Sequence, residues 1–85
     1  MGRYRVVIRR SAEKEIARLP DRQRSRIVER ILTLSDEPRP HGCQKLSGEE
    51  KFRIRQGDHR IVYEIDDDTV VVVIARVAHR SDVYR

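Results

Sequence analysis

Residues 70–75, VVVVIA, form the longest uninterrupted apolar run in the chain. A short run dominated by β-branched side chains reads as a strand covered on both faces, and so as an interior strand of a sheet. Eighty-five residues can build only one thin core. The run therefore fixes where that core lies, and the other segments must cover it. Basic side chains flank it in sequence: Lys51, Arg53, Arg55 and Arg60 before, Arg76, His79, Arg80 and Arg85 after.

The remaining segments supply the cover. Residues 3–9 alternate as a half-buried strand does, with Tyr4, Val6 and Ile8 on one side. Ser11 offers an N-cap hydroxyl to a short helix whose Ala12, Ile16 and Leu19 share a face, and Pro20 ends it. Asp21 is placed to cap a second helix running to about Ser35, with an apolar stripe of Ile27, Val28, Ile31, Leu32 and Leu34. Its arginines read as a solvated face. Residues 36–48 are a loop, broken by Pro38, Pro40 and Gly42. Residues 52–56 and 59–65 alternate again around a Gly57-Asp58 turn, Asp66-Asp67-Asp68 turns the chain once more, and residues 69–78 complete a meander. The predicted fold class is α+β, as one domain over residues 1–85: an N-terminal strand and a helical hairpin packed on an antiparallel sheet.

Composition narrows the partners. Charged residues make up 39% of the chain and the formal net charge is +5, which favours an acidic partner such as RNA, DNA, an acidic protein or an anionic membrane surface. Cys43 is the single cysteine, so no internal disulfide and no Cys-pair zinc site can form. The neighbouring His41 has no suitably spaced companion for metal chemistry, and no metal or cofactor is expected. No stretch reads as a signal peptide or membrane span, and the expected compartment is the reducing cytoplasm.

One face of the meander packs under the helices, leaving the other to display Arg53, Arg55 and Arg60. Arg53 and Arg55, two residues apart on a strand, leave that face about 7 Å apart, near the spacing of successive phosphates. If the last strand lies beside them, Arg80 and Tyr84 close the rim of a concave basic surface. Guanidinium forks match phosphate oxygens in pairs. Aromatic platforms are too few for a long single-strand groove, so a site for a few nucleotides is expected. Taken singly, each residue also has an ordinary role: Arg60 pairing with Glu64 or Asp58, His79 lying on the surface, Tyr84 clasping the tail. Their one-sided gathering is what favours an anion site.

Four ordered pieces carry a resemblance to a known family: A-x-K-E-I-x-x-L-P at residues 12–20, K-L-S-G at 45–48, F-R-I-R-Q-G-D-H-R-I-V-Y-E-I at 52–65 and A-H-R-S-D-V-Y-R at 78–85. The chain resembles the RelE/ParE-type toxins of type II toxin–antitoxin pairs, and within them the RelE branch. That resemblance implies a RelE-like α/β fold. It implies ribosome-dependent, metal-independent cleavage of mRNA in the ribosomal A site, with the 2′-OH attacking the neighbouring phosphate. Arg53, Arg55, Arg60, Arg80 and Tyr84 match positions that work in RelE-type nucleases. Arg60 and Arg80 would hold the scissile phosphate, and Tyr84 would stack on a base or move a proton. Where this chain has Arg53 and Arg55, family members can use lysine, which can serve as a base when its pKa is depressed. Arginine stays protonated. His79 therefore joins Tyr84 as a candidate acid/base, because histidine ordinarily titrates near neutrality. Lys45, Lys51, Arg76 and Arg85 are candidate RNA contacts.

The resemblance leaves a second target open, since the ParE branch inhibits DNA gyrase without cleaving nucleic acid; a non-catalytic nucleic-acid-binding module is the third reading. The implied partners are mRNA, the ribosome and a cognate antitoxin, an acidic segment that folds as it wraps the helical hairpin and the sheet edge. No membrane partner is expected.

Overall fold

A computed structural model of the chain describes residues 3–46 and 50–83. The elements run β1 (Arg5–Ile8), α1 (Arg10–Ala17), α2 (Asp21–Thr33), β2 (Gln44–Lys45), β3 (Lys51–Gln56), β4 (His59–Asp66), β5 (Val71–His79) and α3 (Arg80–Val83). The strands form one five-stranded sheet in the order β1-β5-β4-β3-β2. All of the apolar run but Val70 lies in β5, an interior strand. β3, β4 and β5 make the expected antiparallel meander, while β1 adds to β5 in parallel, Arg5 opposite Val71 through Ile8 opposite Ile74. The α+β architecture is as expected, a helical hairpin on a mostly antiparallel sheet. The short β2, beside β3, lies in the segment read as loop, where Pro38, Pro40 and Gly42 hide any period.

The core sits between the helices and one sheet face. Ala12 and Ile16 of α1, and Ile27 and Ile31 of α2 with Leu34 just beyond it, pack on Phe52, Ile54, Ile61, Tyr63, Ile65, Val72, Ile74 and Val77. Tyr63 is wholly buried, and its hydroxyl donates to the Pro38 carbonyl at 2.7 Å, so the polar tip is not stranded. The α2 stripe is narrower than its letters: Val28 and Leu32 are 37% and 59% exposed. Only the Ile27, Ile31 and Leu34 positions, four and three apart, reach the sheet.

A β-bulge shapes the central strand. Val62 faces Arg76 and Tyr63 faces Ile74, which leaves Ala75 unmatched. The extra residue reverses the alternation along β5. Before it, Val72 and Ile74 face the core; after it, Val77 does.

β1 ends at Ile8, but β5 runs on to His79. Helix α1 covers the edge this would expose. Ser11 Oγ donates to the Ala75 carbonyl at 3.2 Å, and Glu15 Oε1 accepts from the Val77 N–H at 2.8 Å. This corrects Ser11 as the cap: α1 starts two residues earlier, with Arg9 at the cap position, and the hydroxyl serves the strand instead. Asp21 likewise is the first residue of α2 after Pro20, makes no capping bond, and pairs with Arg24 one turn on.

Candidate functional site

Cross-strand register decides which side chains can meet. β3 and β4 place Arg55 opposite Arg60 and Arg53 opposite Val62; β4 and β5 place Arg60 opposite Ala78. Paired residues share a face, so Arg53, Arg55 and Arg60 all leave the side away from the helices. Arg60 is not displayed there, however. It is only 5% exposed. The small Ala78 beside it leaves room for the guanidinium, and α3 packs on β4 and β5 where the chain turns over this end. The Arg80 N–H donates to the Asp58 carbonyl at 2.8 Å, tying the start of α3 to the Gly57-Asp58 turn. Gly57 adopts φ +61, the left-handed conformation that lets this two-residue turn close.

The result is a pocket of about 200 Å³ lined by Arg55, Gly57, Asp58, His59, Arg60 and Arg80. Three guanidinium-bearing residues from β3, β4 and the start of α3 thus converge on one space large enough for a phosphate group. Arg53 lines an adjoining groove of about 180 Å³ with Arg55, Arg30 and His41, and donates to Gln44 Oε1. Lys51 stands opposite Glu64 in the register, away from the pocket. Lys45 and Arg76 are held in ion pairs, with Glu50 at 3.4 Å and with Glu15 at 3.1 Å. Tyr84 and Arg85 lie outside the described residues.

The histidines divide differently from the sequence expectation. The register sets His59 opposite His79, one step out of phase with the arginines. His79 therefore faces the helix side, lining a second cleft of about 340 Å³ with Gln23, Arg26 and Ile27 of α2, and it does not line the arginine pocket. Its Nδ1 accepts the Ser81 N–H at 3.3 Å and lies 2.9 Å from the Ser81 hydroxyl. Its ring meets that of His59 edge to face, centroids 5.6 Å apart. His59 lines both the pocket and the cleft. Burial holds the His59 imidazole below its ordinary range, His79 adds to the effect, and Asp58 opposes it. His59 thus favours the neutral form, able to accept a proton at physiological pH.

Sequence reasoning passed over His59, treating it only as the start of a strand. The signal was its position immediately after the Gly57-Asp58 turn, where both sides of the hairpin end are accessible. It also set aside the α2 arginines, of which Arg26 and Arg30 border this region. Among the described residues, no group of three or more His, Cys, Asp or Glu side chains is gathered closely enough to hold a metal ion. Among the same residues no helix is long and apolar enough to cross a membrane.

The profile described as the ParE toxin of the type II toxin-antitoxin system, parDE, matches residues 6–84. The chain belongs to the ParE toxin family. Within the wider RelE/ParE superfamily, this ParE-family chain is 38% identical to Toxin RelG of Mycobacterium tuberculosis over 86 residues, covering 96% of the chain and 97% of that protein. It is 34% identical to Toxin RelE of the same organism, covering 96% and 87%. The fold agrees: the toxin–antitoxin complex RelBE2 of M. tuberculosis superposes with TM-score 0.81 at 36% identity, covering 91% of this chain and 98% of that one. An archaeal RelE–RelB complex from Pyrococcus horikoshii gives 0.79 at 27% identity, covering 92% and 96%. The expected family and its RelE-like fold are both as anticipated, and the protein is a type II toxin of this superfamily.

Proposed function

We propose that this toxin is a ribosome-dependent endoribonuclease that cuts mRNA in the A site and so stops translation. The observation that supports it is the convergence of Arg55, Arg60 and Arg80 on one pocket. In this mechanism the 2′-OH of one nucleotide attacks the adjacent phosphorus. A 2′,3′-cyclic phosphate forms, the bond to the 5′-oxygen breaks, and the leaving oxygen gains a proton. Charge builds on the non-bridging oxygens in the transition state, and in this reading Arg60 and Arg80 stabilise it. Arg55 adds a third guanidinium, and Arg53 with Lys51 steers the flanking backbone. None of the arginines can take the 2′-OH proton, because arginine does not give up its own.

In our reading the base is an imidazole. His59 borders the pocket and is held towards its neutral form, while His79 stands behind it and fixes the ring edge-on. Tyr84 has the base-stacking or proton-transfer role that the family resemblance implies. The cognate antitoxin is a separate acidic chain, and the exposed Val28 and Leu32, one turn apart on α2, offer it an apolar strip.

Two solved relatives are named as RelB–RelE complexes, which supports this partnership. The ParE profile match favours one second reading, inhibition of DNA gyrase without cleavage. Induction in bacteria, with primer extension on mRNA, separates them. The nuclease reading expects cut mRNA and growth arrest, relieved by the antitoxin. It also expects Arg80→Ala to cut about 100-fold or more slowly, the size of effect seen when one transition-state donor is removed. DNA breaks with intact mRNA would establish the gyrase reading instead.

A further inference from the structure

The cleft on the helix side is larger than the arginine pocket and touches it. The two share Gly57, Asp58 and His59, so only the hairpin turn separates them. Their chemistry differs. Three arginines line the pocket. The cleft is lined by two side-chain amides, Gln23 and Gln56, one guanidinium, Arg26, an apolar floor at Ile27, and the rings of His59 and His79. Amides that both donate and accept hydrogen bonds suit the edge of a base, and flat rings with an aliphatic floor suit its faces. A phosphate alone would use none of the amide acceptors.

We propose that the cleft is a base-binding subsite for the nucleotide whose phosphate occupies the arginine pocket, and that it prefers a purine. This rests on the ribonuclease reading and adds what that reading lacks, a source of sequence preference in the protein itself. The preference for purine follows from the available groups. A glutamine amide pairs in two-point fashion with adenine through N6 and N7, and a guanidinium with guanine through O6 and N7. Pyrimidines have no N7 and offer neither pattern. His59, common to both spaces, lies between the base and the reacting phosphate and couples recognition to position. Gln23 and Gln56 are thereby specificity-determining residues; neither lines the arginine pocket.

The test uses the full chain and defined probes. Inorganic phosphate and the four nucleoside 3′-monophosphates are titrated while NMR follows the side-chain signals of Arg55, Arg80, Gln23 and Gln56. Phosphate is expected to shift the arginine signals only. Adenosine and guanosine 3′-monophosphates should also shift both glutamine amides and bind at least 5-fold more tightly than the pyrimidine nucleotides. A Gln23→Ala, Gln56→Ala double variant should lose that excess and keep phosphate binding. On ribosomes it should keep cutting while its cut sites lose their purine bias. If all four nucleotides bind like phosphate and leave the glutamines unmoved, or if the double variant cuts at unchanged sites, the subsite is refuted and the arginine pocket stands. If phosphate itself leaves Arg55 and Arg80 unmoved, the ribonuclease reading fails and the purine proposal falls with it.

Discussion

The two ends of the β3–β4–β5 meander carry the same residue types and treat them in opposite ways. At the end holding the 66–70 turn, charges cancel. Arg39 reaches Asp67 at 2.9 Å, Tyr4 donates to the same carboxylate at 2.8 Å, and Arg9 reaches Glu64 at 2.8 Å. Asp66 accepts the N–H groups of Asp68 and Thr69, which holds its carboxyl below the usual range. At the Gly57-Asp58 end, Arg55 and Arg80 have no ion pair among the described residues, and Asp58 is the one acidic residue lining their pocket. An arginine beside a carboxylate has its charge balanced within the fold. Arg55 and Arg80, converging with no ion pair among the described residues, repel one another until an anion arrives, so the cost of gathering them makes sense as a binding site.

The largest expected effect breaks the comparison at its centre. Arg55→Ala should lower mRNA cleavage by about 100-fold, as loss of one donor to a developing charge does, with the thermal midpoint nearly unchanged. Arg9→Ala, at the balanced end, should do the reverse. It removes an exposed ion pair worth less than about 1 kcal/mol and should leave cleavage intact. Cleavage assays on ribosomes and thermal melts of both variants check the pair. Equal loss of cleavage in both would mean that net charge, not the pocket, drives the activity.

The turn at the balanced end offers a second contrast. Val70 adopts φ 58, a left-handed conformation that a β-branched residue occupies only under strain. Its carbonyl accepts the Arg5 N–H at 3.0 Å, where β1 joins the sheet, so the local backbone is fixed by pairing on either side. Val70→Gly removes the steric penalty and keeps that bond. The expected gain is roughly 0.5–1 kcal/mol in urea denaturation, after the entropy cost of glycine is deducted. Cleavage should not change. Slower cutting by this variant would show that the two ends are coupled, and that strain at one serves the other.

How much of this was legible in the letters depended on whether local pattern or long-range geometry decided the outcome. The six-residue apolar run identified β5 as interior because only burial on both faces makes such a run sensible. Alternation placed Arg53, Arg55 and Arg60 on one face, and the register agrees. Alternation could not reveal that Arg60 is buried, because burial on that face is set by what packs there from elsewhere in the chain. Nor could it place His79, since the Ala75 bulge reverses the parity of β5 and moves that ring to the helix side. Ser11 had the right chemistry for a cap and was recruited by a strand edge 64 residues away. Local rules held where neighbours in sequence decide, and failed where a distant element competes for the same group.

The smallest expected effect sharpens the comparison through pH. Burial depresses the His59 pKa below its ordinary 6.5, so at pH values just under 6.5 the unfolded chain binds more protons than the folded one. Stability therefore falls as pH drops through that window, and levels off below the folded pKa. The ring is partly solvated, so the loss should be only a few tenths of a kcal/mol. Asp66 and Asp67 contribute nothing in this window: their partners lower both pKa values, and they titrate well below it. Urea midpoints of wild type and His59→Gln, measured on both sides of pH 6.5, should show the decline in wild type alone. A decline that persists in His59→Gln would assign it to another group. In cleavage the same imidazole, acting as base, should place the acid limb of the rate profile below 6.5, and that limb should be missing from whatever cleavage His59→Gln retains.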